Sequence, residues 1–309
     1  MKSMSASAHL PRVYGIEPPE PVWALLVRFV ERHVGLVLAI ALVPLNASLA
    51  WLALASFAIR MFGIEGVNHR YFSHRAYKAN RVVQFVLALI AAQAGQRGSL
   101  WWAAQHRDHH KYAETPRDPH SPVTHSFFDA YAGWYRDPRF GTCNLDDIPD
   151  FARYPELRWL NRYFWVPYYG GGLLLFLAGH FGLLGPDISG IGGLLWGFYV
   201  PGCLVLHAVA LINTVGHMPE LPGGYRRYEV ADRSVNRVSL AMLTLGAGFH
   251  NNHHRYAAAA RAGFAWYEID ITYYVLRLMQ AMRLIRDVKS RIPDDILAEG
   301  GIKTRRTPA

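Results

Sequence analysis

Two long stretches of this 309-residue chain contain no lysine or arginine: residues 34–59 and residues 163–217. The only acidic residue in either stretch is Asp187. A mainly apolar run of about 20 residues is long enough to cross the hydrocarbon core of a bilayer as a helix. The sequence therefore predicts an integral membrane protein of the all-α class.

The number of membrane spans follows from the breaks in these stretches. The longer stretch has room for two spans separated by the Gly-Pro-Asp turn at 185–187. The shorter one fits a single tilted helix, but Pro-Leu-Asn at 44–46 near its middle favours a tight hairpin instead. The prediction is four transmembrane helices, at about 24–44, 48–66, 164–184 and 191–212.

The basic residues indicate the orientation. All but four of the 32 lysines and arginines lie in 60–162 and 218–309. By the positive-inside rule these segments and both termini face the cytoplasm, which also explains most of the formal charge of +9. The prediction is a single domain over 1–309, multi-pass in the cell (inner) membrane, with a cytoplasmic helical cap formed by 67–163 and 213–292.

Two further segments have no place in the predicted spans. Residues 82–95 are apolar but lie between Arg81 and Arg97. They are too short to cross a bilayer, so we expect a helix lying against the membrane face. The tail after Ile292 is polar, and we expect it to be poorly ordered.

Histidine is the unusual residue of the composition, with 15 copies, and most of them are grouped in the predicted cap. The groups are HRYFSH at 69–74, HRDHH at 106–110 and HNNHH at 250–254. On a helix, positions i, i+3 and i+4 share one face, so each HxxHH trio is predicted to point one way. His69 and His74 diverge by about 140° on an ideal helix. They therefore either serve two different metals or have a helix end between them.

A smaller element, Asn213 and His217, ends the last predicted span with a spacing of four residues, and a helix cap is an equally simple interpretation of it. Neutral imidazole is a good ligand for iron, zinc or copper. With His217 the groups supply nine imidazoles, which exceeds the need of one metal. Two metal ions with four or five nitrogens each would use all nine.

The remaining histidines and the absence of other motifs agree with this hypothesis. A lone histidine is more often a packed or surface residue than a ligand, and six are assigned no metal role: His9, His33, His120, His125, His180 and His207. The sequence has no HExxH, GxSxG, P-loop or GxGxxG motif. Two distant cysteines, Cys143 and Cys203, exclude a disulfide scaffold and a cysteine-rich zinc module.

The sequence resembles the integral-membrane fatty acid desaturases of the Δ9, stearoyl-CoA desaturase-like group. The resemblance covers roughly 55–290 and rests on HRYFSHRAYK at 69–78, HRDHHKYAETPRDPH at 106–120, Asn213 to His217, and GAGFHNNHH at 246–254. QRGSLWW at 96–102 is similar to the bacterial branch. The resemblance implies a non-haem diiron centre with Asn213 reaching a metal through water. The implied ligands are His69, His74, His106, His109, His110, His217, His250, His253 and His254.

The resemblance also implies the activity. Removal of hydrogen from unactivated methylene carbons needs cofactor chemistry, and the protein supplies placement and exclusion of water. The implied reaction introduces a cis double bond, at Δ9 in this group, into a saturated acyl chain while O2 is reduced to water. Trp101 and Trp102 are candidate walls of the acyl-chain tunnel. No fused haem domain is evident, so a separate ferredoxin, rubredoxin or b5-type electron donor is expected to dock on the basic face.

Departures from the family pattern leave the substrate open. Asp129-Ala130-Tyr131-Ala132 replaces the Ser-His part of a Ser-His-x-Gly-Trp pattern, and Ala247 stands where many members have Glu. An acyl-CoA, an acyl-lipid and an acyl-carrier substrate are all compatible with the sequence. A related diiron hydroxylase is the alternative function, and a non-enzymatic membrane metal-binding protein is a more distant one.

Overall fold

The computed structural model describes residues 13–302 and is mostly helical, as the sequence predicts. Its α-helices are α1 (Val22–Leu42), α2 (Ala47–Phe62), α3 (Arg81–Ala92), α4 (Ser99–Tyr112), α5 (Phe127–Tyr131), α6 (Pro149–Ala152), α7 (Pro155–Arg162), α8 (Trp165–His180), α9 (Gly190–Leu194), α10 (Val200–Val215), α11 (Val238–Leu243), α12 (His250–Arg255), α13 (Ile271–Ala281) and α14 (Asp294–Glu299). A π-helical segment, Gly63–Ser73, continues α2, and another, Leu195–Tyr199, joins α9 to α10.

Short irregular elements connect these helices. Single 3-10 turns lie at Gly133–Arg136, Pro138–Gly141 and Leu145–Asp147. The strands of the described residues form antiparallel pairs of two residues each: Ile16–Glu17 with Cys143–Asn144, Lys78–Ala79 with Ile285–Arg286, and Gly224–Tyr225 with Asn236–Arg237. Among the described residues these strand pairs do not form a larger sheet, and the first two of them connect segments that are far apart in the sequence.

The break predicted within residues 34–59 is confirmed, because α1 ends before it and α2 begins after it. Asn46 caps α2 by accepting a hydrogen bond from the Leu49 N–H at 2.8 Å. Its amide also donates to the carbonyl of Asp187 at 3.0 Å, and Ser48 donates to the Asp187 carboxylate at 3.2 Å. The tips of the two predicted hairpins are therefore joined through the one acidic residue of the uncharged stretches.

Within residues 13–302, two helices are long and apolar enough to cross a membrane. They are Ala47–Ser73, which combines α2 with its π-helical continuation, and Gly190–Val215, which combines α9 with α10. The other two predicted spans are helical as well: α1 has 21 residues and α8 has 16. Apolar side chains such as Val37 on α1 and Leu174 on α8 are more than half exposed, which suits a lipid-facing surface.

The π-helical segment packs against α3 through a close approach of the two backbones at Gly63. A Cβ on Gly63 would lie 2.9 Å from both the Ala91 Cα and the Ile90 carbonyl oxygen of α3. Glycine at this position lets the start of the segment rest directly on the α3 backbone. The first histidine box therefore extends from a tightly packed helix junction.

The expectation for residues 82–95 is confirmed in part, and the expectation of a poorly ordered tail is wrong for the residues that the structure describes. Residues 82–95 form a helix, α3, as expected, while its position against a membrane face stays a prediction. The tail after Ile292, expected to be poorly ordered, forms α14 over 294–299, because Ile296 is buried against Tyr228 and Phe264 and Glu299 pairs with Arg255. Residues 303–309 of this tail lie outside the described residues. One buried apolar side chain and one ion pair therefore stabilise α14, although the composition of this segment is polar.

Candidate metal centre

Nine histidines from four separate segments converge into two adjacent clusters. Within each cluster, one nitrogen of every imidazole lies within 4.8 Å of the others. The five-histidine cluster consists of His69, His74, His106, His110 and His253. The four-histidine cluster consists of His109, His217, His250 and His254. The nine are the same residues that the box spacings and the resemblance single out.

The π-helical geometry of the first box determines which cluster His69 and His74 join. The His74 N–H donates to the His69 carbonyl at 3.1 Å, which is the i→i+5 bond of a π-helix. In that register residues five apart follow one another along the same face, so the two rings lie 4.9 Å apart. Both histidines therefore belong to the five-histidine cluster, and the interpretation that they serve two different metals is contradicted.

The prediction that each HxxHH trio points to one place is wrong. His106 and His110 face the five-histidine cluster, whereas His109 faces the four-histidine cluster. On an α-helix, residues four apart differ by about 40° and adjacent residues by about 100°. The i and i+4 histidines of α4 therefore share a cluster, and the i+3 histidine reaches the neighbouring one.

The third box is divided by position in the same manner, with the two clusters exchanged. His250 and His254 of α12, four apart, join the four-histidine cluster, and His253 joins the other. The imidazoles of His253 and His110 meet at 3.0 Å between their Nε2 atoms. Each helix thus contributes to both clusters, which keeps the clusters side by side.

Arg107 anchors the first box to the second. Its guanidinium donates to the carbonyls of Phe72 and Ser73 at 2.7 and 3.0 Å, at the end of the π-helical segment. It also makes a bidentate contact with Asp150 at 3.1 and 2.9 Å. The arginine in HRDHH therefore satisfies helix-end carbonyls that have no partner of their own and holds His74 against α4.

The two asparagines of HNNHH anchor the third box from behind. Asn251 accepts hydrogen bonds from the backbone N–H groups of Arg227 and Tyr228, both at 2.8 Å. Asn252 donates to the carbonyl of Ala262 and to the Glu268 carboxylate, both at 2.9 Å. Both asparagines are fully buried. A helix of only six residues is held in place by these contacts, with its histidines on the opposite side.

Four carboxylates contact the Nδ1 atoms of four of the nine histidines. The pairs are Glu65 with His69 at 2.9 Å, Asp118 with His109 at 3.0 Å, Glu114 with His217 at 3.4 Å, and Asp232 with His254 at 2.8 Å. None of these four carboxylates was predicted from the sequence. Glu65 precedes His69 by four residues, and that spacing is a usable signal; Asp232 is brought in from a distant loop and has none.

The carboxylates determine which ring nitrogens carry the protons. An ionised carboxylate only accepts, so the paired Nδ1 carries the proton and the Nε2 of the neutral ring presents a lone pair. Three of the four imidazoles in the four-histidine cluster are held this way. The Nε2 atom of His254 is buried and has no hydrogen-bond partner. A cation between these nitrogens satisfies the converging lone pairs, so the residues fit a metal.

The protonation state of the clusters also suits a metal. Burial, reinforced by neighbouring imidazoles, holds the pKa of five histidines well below its ordinary value: His74, His106, His110, His250 and His253. Burial lowers the pKa of His254 to about 4 despite Asp232. His109 differs: burial lowers its pKa, but Asp118, together with Asp232 and Glu114, raises it above its ordinary value. At neutral pH most of the imidazoles are neutral, as metal coordination requires.

A cavity borders both clusters, since His106 of one and His109 of the other line it. The predicted tunnel residues Trp101 and Trp102 line it too, and Trp102 stacks on the His106 ring with centroids 4.9 Å apart. Asn213 also lies on its wall, beside the histidines. The apolar part of the wall comes from α1, α5 and α10: Leu25, Leu26, Phe29, Phe128, Tyr131, Leu206, Val209 and Ala210.

The six histidines that were assigned no metal role fall outside both clusters where they are described. His9 lies outside the described residues. His120 contacts Asp118 at 3.8 Å and borders the cavity, and His180 is exposed on α8. His33 and His207 lie together between α1 and α10.

Comparison with known proteins decides the family. The sequence model of the fatty acid desaturase family matches residues 45–286, more than half of the chain. The chain belongs to the fatty acid desaturase family. The family resemblance found in the histidine boxes is confirmed, and the protein is an oxidoreductase that desaturates acyl chains.

The similar desaturases differ in substrate. An acyl-CoA 5-desaturase of Anemone leveillei is 32% identical over 80% of this chain and 73% of its own length. An sn-1 stearoyl-lipid 9-desaturase of Anabaena variabilis is 31% identical over 88% of this chain and 95% of its own. A hex-5-enoyl-[acyl-carrier protein] acetylenase of Moorena producens is 29% identical over 83% and 82%. This desaturase therefore resembles enzymes with three kinds of acyl carrier.

Proposed function

We propose that this desaturase introduces a cis double bond at the Δ9 position of a saturated acyl chain, using two iron ions held by the nine clustered histidines. The observation that carries the proposal is the cavity that borders both clusters and is walled mainly by apolar and aromatic residues. Two irons would supply the oxidising power drawn from O2. Imidazole ligands without a carboxylate in the cluster suit iron among several transition metals.

The chain's own contribution is placement. His106 of the five-histidine cluster and His109 of the four-histidine cluster both line the cavity. An acyl chain lying against Trp102, which stacks on His106, would therefore lie near both clusters. Val209 and Ala210 of α10 keep that part of the wall apolar. Asn213 lies on the same wall, where its amide would hold a water molecule next to the metals. Exclusion of bulk water by these side chains protects the reacting carbons.

We also propose the topology that the charges predict. Four helices, α1, α2 with the first residues of its continuation, α8, and α9 with α10, would cross the cell (inner) membrane. The histidine clusters and both termini would then lie on the cytoplasmic side. The support is the joined pair of hairpin tips at Asn46 and Asp187, which carries no cation, opposite a basic cap.

The substrate would arrive from the bilayer as an acyl-lipid or from the cytoplasm as an acyl-CoA. The acyl-lipid form is supported by the stearoyl-lipid and palmitoyl-lipid desaturases among the similar proteins. Electrons would come from a separate ferredoxin, rubredoxin or b5-type protein. An acidic donor is complementary to the basic cytoplasmic segments.

The test is expression in a host that lacks this activity, followed by mass-spectrometric mapping of double bonds in CoA, phospholipid and free acyl pools. The expected result is a cis-Δ9 monoene that is absent when His109 is replaced by Ala. His180→Ala is the matched control, because His180 is exposed and outside both clusters, and it should retain the product. A hydroxylated chain without an alkene would instead assign the hydroxylase alternative.

A further inference from the structure

A group of metal-binding side chains lies away from the nine histidines, between α1 and α10. Cys203 and His207 are four residues apart on α10, and His33 faces them from α1. The Cys203 sulfur and one nitrogen of each imidazole all lie within 4.8 Å of one another. Cys203 is buried and both histidines are half-buried. Three borderline or soft donors thus converge where two apolar helices pack.

The outward nitrogens of both histidines are already held by oxygen atoms. His33 Nδ1 lies 2.7 Å from the carbonyl of Phe29. A carbonyl only accepts, so this Nδ1 carries the proton and the Nε2 of the neutral ring presents its lone pair inward. His207 Nδ1 lies 2.6 Å from the Tyr131 hydroxyl. Metal-binding histidines commonly have their second nitrogen fixed in this way by a carbonyl or another polar group.

The inward nitrogens have a spacing that a metal can use. The Nε2 atoms of His33 and His207 are 3.0 Å apart, with the ring planes at 85°. Zinc bonds of about 2.0–2.1 Å to nitrogen in a tetrahedral site separate two nitrogens by about 3.3 Å. The two Nε2 atoms are hydrogen-bonded to each other, so a bound metal would replace that hydrogen bond and its proton and separate the two nitrogens by a further few tenths of an ångström. A thiolate and two imidazoles favour zinc over magnesium or calcium.

We propose that His33, Cys203 and His207 form a third metal site that binds Zn2+, separate from the nine-histidine centre. Binding releases the thiol proton, and a water molecule completes the four ligands while the Tyr131 hydroxyl remains on His207 Nδ1. The site joins α1 to α10. Tyr131 both contacts His207 and lines the acyl-chain cavity, so the metal also fixes part of the cavity wall. This inference does not depend on the proposed Δ9 reaction.

Cobalt is the probe that separates this site from the nine histidines. Co2+ bound to a thiolate has a near-ultraviolet sulfur-to-metal charge-transfer band, and Co2+ bound only to imidazoles has none. The full-length protein in detergent micelles is titrated with Co2+, and the band is expected to appear and to be displaced by Zn2+. The chain has one other cysteine, Cys143, which is buried in the strand that pairs with Ile16–Glu17.

The matched variants are Cys203→Ser and Cys143→Ser. The band is expected to be lost completely in Cys203→Ser and kept in Cys143→Ser, and bound zinc measured by mass spectrometry should fall by one ion per chain only in the former. His33→Gln, which keeps the thiol, should lose the same ion. Thermal melting in the presence of a chelator shows whether each variant is folded. A folded Cys203→Ser protein that keeps its zinc, or a wild-type protein without the band, overturns the proposal and leaves a hydrogen-bonded histidine pair only.

Discussion

The carboxylate of Asp232 accepts a hydrogen bond from Nδ1 of His254 at 2.8 Å, and this contact leaves the buried Nε2 of His254 without a partner. Burial alone would raise the pKa of Asp232. The hydrogen bond and charge interaction with His254 nevertheless hold it well below its usual range. Asp232 is therefore ionised, and it orients a lone pair into the four-histidine cluster.

Replacement of Asp232 by Asn should weaken metal binding to the four-histidine cluster by about tenfold to a hundredfold, because a neutral amide holds the His254 proton less strongly. The measurement is a metal titration of the purified protein. Asp108→Asn is the control: Asp108 lies within the second box, but it is exposed and pairs with Arg117. Equal affinity in the two variants would contradict an orienting role for Asp232.

Replacement of Arg107 by Lys should destabilise the protein by about 1.5–3 kcal/mol, since a lysine cannot reproduce the bidentate contact with Asp150 together with the two carbonyl contacts. Loosening of the π-helical end should also lower the bound-metal content through His74. The melting temperature and metal content measure these effects. Arg117→Lys, on the exposed surface, should change neither, and a similar loss there would show that the effect does not come from the specific contacts of Arg107.

Replacement of Ala210 by Phe should fill part of the cavity that His106 and His109 also line. Desaturation is expected to fall by roughly tenfold to a hundredfold, because the acyl chain is displaced from the clusters, while the metal content stays unchanged. Leu204→Phe on the same helix is the control, as Leu204 is about half exposed and outside the cavity. Full activity of Ala210→Phe would show that the substrate does not use this cavity.

Replacement of Gly63 by Ala should cost about 1–3 kcal/mol by overpacking, because the new Cβ would meet the α3 backbone at 2.9 Å. Alanine can adopt the backbone angles of Gly63, whose φ is −57°. The substitution therefore tests only whether there is space for a Cβ atom. Gly170→Ala in α8 has nothing within 4 Å and should gain about 0.5–1 kcal/mol from helix propensity. Thermal unfolding of both variants checks the opposite signs, and a neutral Gly63→Ala would contradict the close packing.

Much of the fold follows from local sequence. Uncharged length predicts the long helices, and breaks such as the one before Asn46 predict where they end. These signals are local because a helix satisfies its own backbone hydrogen bonds. The ordered segment that contains Ile296 is the exception, since its stability depends on burial against Tyr228 and Phe264, which no local pattern reveals.

The sequence by itself determined which nine histidines come together and the family to which the chain belongs, because box spacings and residue types are local properties. Only the tertiary structure decided how the nine are divided. The π-helical register places His74 with His69, and the 100° step of an α-helix sends His109 and His110 to different clusters. Carboxylates such as Asp232 reach the histidines through long-range packing, which depends on the whole fold and leaves no periodic signal in the chain.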